Sequence, residues 1–186
     1  MTPHRYFLAQ AYNNAWANHR LLTACRSLSV EELHARRTGF FPSIIHTLNH
    51  ILTVDWFYVS AMEGRPIGLA AFEPDIPFAD FADLEREQRA VDHRLIDHCR
   101  QLTAETLERE IEIPRRDHVQ VERTDRIALH LFQHQVHHRG QVHAMLSGTS
   151  VAPPQLDEFF PGDPAEQALR RADFAQLGFS ETQIWS

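Results

Sequence analysis

Apolar residues recur along this chain at steps of three and four, the spacing that places them on one face of a helix. The first such stretch carries Leu8, Ala11, Ala15, Asn18, Leu22 and Cys25 on one seam. Thr2 and Pro3 supply its start, as a cap followed by proline at the first helical position, and it is expected to run to about Ser27. A second long helix should begin after Ser43 and stop near Gly64, with His50, Val54, Phe57 and Ala61 on one seam. It is apolar on most sides, which predicts a central place in the fold. Asp80 caps a third helix, about Phe81 to Leu102, whose inward seam is Leu84, Gln88, Val91, Leu95, His98 and Leu102. The fourth spans roughly Thr124 to Ser147, with Ile127, Leu131, His134, His138, Gln141 and Met145 in line.

The connections follow from local chemistry. Ser29 caps a brief turn through Glu32. Residues 36–42 read as a loop. Residues 65–77 hold three of the ten prolines and read as a loop whose Ile67, Leu69 and Phe72 pack over the helices. Alternation from Glu108 to Ile113 and from His118 to Glu122 predicts a small β-hairpin, marginal unless it packs on the helices. After Gly148 the prolines enforce irregular chain. Asp163 and Pro164 then open a last short helix to about Leu177, which Gly178 ends. The pattern predicts an all-α, up-down four-helix bundle with a short C-terminal helix, formed as a single domain over residues 1–186.

Composition narrows the class. Lys plus Arg number 18 against 25 Asp plus Glu, a formal charge of −7, which argues against a nucleic-acid surface. Arg115 with Arg116, Arg170 with Arg171, and the run Glu85, Arg86, Glu87, Arg89 are expected to be solvated faces. Cys25 and Cys99 are far apart and fall within helices, so reduced, buried thiols are expected. The N-terminus lacks a signal-peptide core, and no run approaches the ~18 apolar residues of a membrane helix. A cytoplasmic protein without a membrane partner is the expectation.

The chemistry concentrates in the fourth helix, which holds His130, His134, His137 and His138 among the chain's 13 histidines. His134 and His138 stand one turn apart on an otherwise apolar seam, a common way to present two nitrogen ligands to a metal. A lone inward histidine is usually a hydrogen-bonded core residue, whereas two bring nitrogens that each need partners. Gln135 stands where a zinc protease would carry its general-base Glu, so that chemistry is excluded. His130 and His137 form a neighbouring seam suited to solvent or a subunit contact. His50 is a third ligand candidate, with His46 and His98 as rivals. Asp55 either accepts the second N–H of a ligand imidazole or serves at the surface or as a cap. Asn18 is expected to pack or hydrogen-bond, with site lining as a second role. Gln141 could orient a ligand or an imidazole, and Arg139 should pair with a carboxylate at the surface or at a dimer contact.

Four stretches carry a family resemblance. They are YNNAWAN at Tyr12–Asn18, Ser43 followed by TLNHILTVDW at Thr47–Trp56, LHLFQHQVHHRGQVH at Leu129–His143, and Pro153, Pro154, Leu156 and Asp157. Together they resemble the DinB/YfiT-like family of metal-dependent enzymes. The resemblance implies a four-helix bundle, often dimeric, with a divalent metal on three histidines from two helices. Carried over, these are His50, His134 and His138. His46 falls where that family usually has a small residue. Family relatives include transferases and isomerases that use mycothiol, bacillithiol or glutathione. The expected function is therefore a metal-dependent enzyme that activates a small thiol or a water for transfer or hydrolysis on a small-molecule substrate. Zinc or nickel is the expected ion, with manganese and iron also suited to imidazole. The rival reading is a non-catalytic metal-binding stress or sensor protein.

Overall fold

The computed structural model describes residues 3–185. Thr2, expected to cap the first helix, lies outside the described residues. The four long helices are α1 (Pro3–Cys25), α3 (Ile44–Met62), α4 (Phe81–Arg100) and α6 (Thr124–Leu146). Two of these helices, α3 and α4, start at the caps the pattern singled out. The Ser43 side chain accepts from His46 N–H, and Asp80 accepts from Asp83 N–H. The short α2 (Val30–His34) opens with a full capping box between Ser29 and Glu32.

The long helices form a ring in which α1 and α3 each touch both α4 and α6. Side-chain pairs give the directions. Tyr12 meets Arg100 and Asn18 meets Asp92, so α1 and α4 are antiparallel. His50 meets His134 and Tyr58 meets His130, so α3 and α6 are antiparallel. Asp55 meets Gln88 and Glu63 meets Arg94, so α3 and α4 run the same way. Phe7 packs on Phe132 while Asn18 reaches Arg139, so α1 and α6 are parallel as well. The bundle thus runs up-down-down-up, with its two middle helices, α3 and α4, side by side in one direction. The segment 63–80, long enough to travel back along a helix of about 28 Å, makes this possible.

At the far end, α5 (Ala104–Glu108) leads into the expected hairpin, β1 (Glu110–Pro114) against β2 (Val119–Arg123), with Glu110 opposite Arg123. Ile111 and Ile113 of β1 are buried and join the bundle core, which supplies the packing that an isolated hairpin lacks. The predicted terminal helix is α7 (Pro164–Leu177), capped by Asp163 and closed by Gly178 at φ 68°, where a side chain would be strained. A further turn, α8 (Glu181–Trp185), follows it.

Three surface expectations are corrected. Ile67 and Leu69 stay exposed, and Ala71 and Phe72 do the packing for their loop. Glu85 is buried because it holds both Arg26 and Arg89. Arg170 is buried too. Its guanidinium donates to Glu181 Oε1 and to the carbonyls of Glu158 and Pro161 while lying over Phe174, so one cation seats the C-terminal segment. Arg170→Ala is expected to lower stability by about 1.5–3 kcal/mol, the scale of hydrogen bonds made by a charged group, because the buried guanidinium and its bonds to Glu181, Glu158 and Pro161 are lost. Thermal unfolding tests this. A change no larger than that of Arg171→Ala, at an exposed position, would contradict the assignment.

The interior is divided along its length. One apolar cluster fills the end occupied by Trp16, Phe57, Leu95 and Leu131, and a second fills the end occupied by Leu22, Ile44, Leu84 and Leu146. Between them lies a buried polar layer contributed by all four long helices: Asn14, Asn18, Asp55, Gln88, Asp92, Gln135 and Arg139. The histidines of α3 and α6 sit at the same level.

Candidate metal centre

His50 projects from α3 toward α6, and His134 and His138 project back from successive turns of α6. The Nε2 atoms of His50 and His134 are 3.0 Å apart. The ring of His138 lies 4.6 Å from that of His50 and 4.3 Å from that of His134, centre to centre. One nitrogen from each ring can be chosen so that all three lie within 4.8 Å of one another. Two nitrogens bound to one ion at about 2.0–2.1 Å stand about 2.8–3.4 Å apart at octahedral to tetrahedral angles, so the His50–His134 pair already has this spacing.

The protonation pattern fits the same use. Burial, reinforced by His138, lowers the pKa of His50 to about 4. Burial and then His138 and His50 lower His134 to about 3. His138 is also lowered, by burial, although Gln141 opposes this. All three imidazoles are neutral near pH 7 and keep a lone pair for a cation. The Nδ1 of His138 lies 2.9 Å from Gln141 Oε1, while Gln141 Nε2 faces His137 Nε2 at 3.0 Å. With the Gln141 oxygen accepting from His138 Nδ1–H, the Nε2 of His138 is left bare. Gln141, expected to orient a ligand or an imidazole, lies against the His138 ring.

The 36–42 loop roofs the cluster. Phe41 lies 4.4 Å from the His50 ring and 5.8 Å from that of His138, and the exposed Phe40 stands 6.4 Å from His138. The other candidates are elsewhere. His46 Nε2 stands 2.9 Å from Asp75 Oδ2 rather than in the cluster. His98 lines a cleft of about 450 Å³ near the α3 and α4 C-termini, beside Glu63 and Arg109. His130 and His137 are exposed, as their seam predicted.

Two expectations for neighbouring residues are overturned. Asp55 neither touches a ligand ring nor reaches the surface; its carboxylate accepts from Gln88 Nε2 at 2.7 Å and from Gln135 Nε2. Arg139 is buried rather than at the surface, and donates to the side-chain oxygens of Asn14, Asn18 and Gln135. Asn18 completes this layer by donating to Asp92 at 2.9 Å, so it hydrogen-bonds in the core and does not line the histidine cluster. The sequence did hold a signal for the layer: polar pairs four apart, Asn14 with Asn18, Gln88 with Asp92 and Gln135 with Arg139, share a helix face three times over.

A four-helix bundle with an inward cluster of three histidines from two helices defines a class of protein suited to metal binding. Residues 4–169 match the family model of the DinB family, and the chain belongs to that family. Uncharacterized protein YizA of Bacillus subtilis (strain 168) is 25% identical over 134 residues, which is 70% of this chain and 80% of that protein. A DinB-like protein from Bacillus cereus ATCC 10987, known from a crystal structure, has the same fold. The TM-score is 0.58 at 16% identity, covering 75% of this chain and 90% of that one. Family membership and the cluster are both compatible with metal binding. Among the described residues no helix is long and apolar enough to cross a membrane.

Proposed function

We propose that His50, His134 and His138 hold one divalent ion, and that the protein is an enzyme acting on a small molecule with a small thiol, such as glutathione, or with water. The observation that carries this reading is the convergence of three neutral imidazoles from two helices. Zinc and nickel suit such a donor set best, and manganese and iron are accepted by it. A bound divalent ion supplies a Lewis acid that favours the deprotonated form of a thiol or water placed beside it.

The chain's own groups do the rest. Gln141 holds the His138 ring in place. Phe40 and Phe41 form an apolar roof that sheds water and offers a surface to the organic part of a substrate. Cys25 and Cys99 are buried, and burial pushes both thiols up to about 12, so neither is suited to act as the nucleophile. The reacting thiol or water must therefore come from outside. Among the described residues the cluster contains three ligand residues and no carboxylate or thiol. Such a set leaves coordination positions for a reactant, which favours the enzyme over a stress or sensor protein with a closed site.

The test begins with metal analysis. The purified protein should hold a stoichiometric divalent ion, and His134→Ala should lose it. Equal metal in the two would remove the ligand assignment. The loaded protein is then assayed for consumption of glutathione thiol with a broad panel of electrophiles. Metal-dependent turnover supports the enzyme, whereas bound metal without turnover places the sensor reading first.

A further inference from the structure

The polar layer across the middle of the bundle has no part in binding a reactant, yet it lies at the level of the histidines. Its two α6 members, Gln135 and Arg139, each follow a cluster histidine by one residue. Successive helical residues are about 100° apart around the axis. The histidine pair therefore makes one stripe of α6, and the Gln135–Arg139 pair makes the next stripe, turned toward the bundle centre.

Those two side chains are held directly by α3 and α1, and through them by α4. Gln135 donates to Asp55, which lies on α3 five residues after His50. The helices α3 and α6 are thus joined twice at this level, at His50 with His134 and at Asp55 with Gln135. Arg139 Nη1 donates to Asn14 and Asn18 on α1 and to Gln135 Oε1. Gln88 of α4 donates to both Asp55 and Asp92, at 2.7 and 3.2 Å. Asn14 and Asn18 also donate to Asp92. Apolar packing tolerates changes in side-chain shape and small shifts of a helix, whereas a set of directional bonds from one stripe to two neighbouring helices, themselves tied to the fourth, does not. Filling this layer with apolar side chains would serve stability at least as well, so the polar choice points to specification of geometry.

We infer that this layer is the positioning device of the histidine centre. Gln135 and Arg139 set the rotation of α6 about its axis, and the Gln135–Asp55 bond sets its separation from α3, so the three imidazoles meet before an ion arrives. This rests on the metal-site reading above. The residues of the layer are positioning residues, since they act through the helix and not on the ion.

Cobalt(II) alone is the probe, because its visible absorption reports coordination geometry as well as occupancy. Gln135→Leu cuts the Asp55 link between α3 and α6, and Asn18→Ala loosens Arg139 from α1. Leu107→Ala, at a buried α5 position outside the layer, is the control for a general loss of stability. Both layer variants should bind cobalt about tenfold or more weakly with an altered spectrum, the scale set by residues that orient metal ligands. Leu107→Ala should keep the wild-type spectrum and an affinity within about twofold, even with a comparable fall in Tm. Wild-type affinity and spectrum in the layer variants would overturn the inference, as would an equal weakening in Leu107→Ala. Should Gln135→Leu not fold, Asn18→Ala decides by the same criteria. If the unmodified protein takes up no cobalt, the metal-site reading itself fails and this one with it.

Discussion

Arg139→Met is expected to lower the free energy of unfolding by about 3–5 kcal/mol at pH 7.5, the cost of leaving buried charge without its partner. Arg139 is buried between two carboxylates that are themselves buried. Burial brings its guanidinium down to about 10, against the opposing pull of Asp92 and Asp55. Burial also raises Asp55 to about 7, helped by Asp92, and raises Asp92 to about 6. Removing the guanidinium deletes the cation both acids face and strips the donor from Asn14, Asn18 and Gln135. The loss should shrink at pH 6, where protonated carboxyls need no counter-charge, and should be partly recovered by adding Asp92→Asn. Urea unfolding measures all three quantities. A loss of under about 1 kcal/mol, the worth of an exposed pair, would show that Arg139 is solvated in solution.

The metal-free protein should be less stable at pH 4.5 than at pH 6.5. His50 and His134 titrate at about 4 and about 3 in the fold, and His19, His98 and His138 are also lowered, each chiefly by burial. An unfolded histidine takes its proton near 6.5. Between 6.5 and the folded values the unfolded chain binds more protons, so these groups stabilise the fold above 6.5 and lose that contribution as pH falls. Asp55 and Asp92 act oppositely. Their raised values stabilise the fold most below the ordinary carboxylate range, and that stability is lost as pH rises through about 6 and 7. Five imidazoles against two carboxylates make the acid-side loss the larger effect. His50 and His134 are only partly buried, so solvent screening softens the slope. Thermal unfolding from pH 4.5 to 6.5 should show Tm rising with pH for the apoprotein, more steeply with saturating zinc, because metal competes with protons for the same nitrogens. The double variant His50→Gln with His134→Gln should flatten the apoprotein curve. A flat curve in the unmodified apoprotein would refute these pKa values.

Much of the bundle was legible because periodicity and caps are local. Ser43, Asp80 and Asp163 mark helix starts by bonding to backbone N–H groups two or three residues on, and that chemistry needs no tertiary partner. The histidine cluster was legible for a related reason: His134 and His138 lie on an apolar seam and His50 on the seam of another buried helix, although periodicity left His46 and His98 as rivals and the family resemblance singled out His50. The buried charges were not legible. Arg139, Arg170 and Glu85 have the same composition whether solvated or enclosed, and only their neighbours decide which. Asp55 shows this most plainly, since its partners Gln88 and Gln135 lie 33 and 80 residues away.

The linear order of residues by itself determined where four long helices begin and end, which faces turn inward, and that imidazoles from two of them share the interior. Those properties come from steric preferences and hydrophobic spacing that act within a few turns. Tertiary structure alone decided that α3 and α4 run in one direction, that α1 joins α6 through Arg139, and that a polar layer parts the core beside the histidines. Such features depend on long-range pairings, where a polar side chain is stable in the interior only once a particular distant donor or acceptor has arrived.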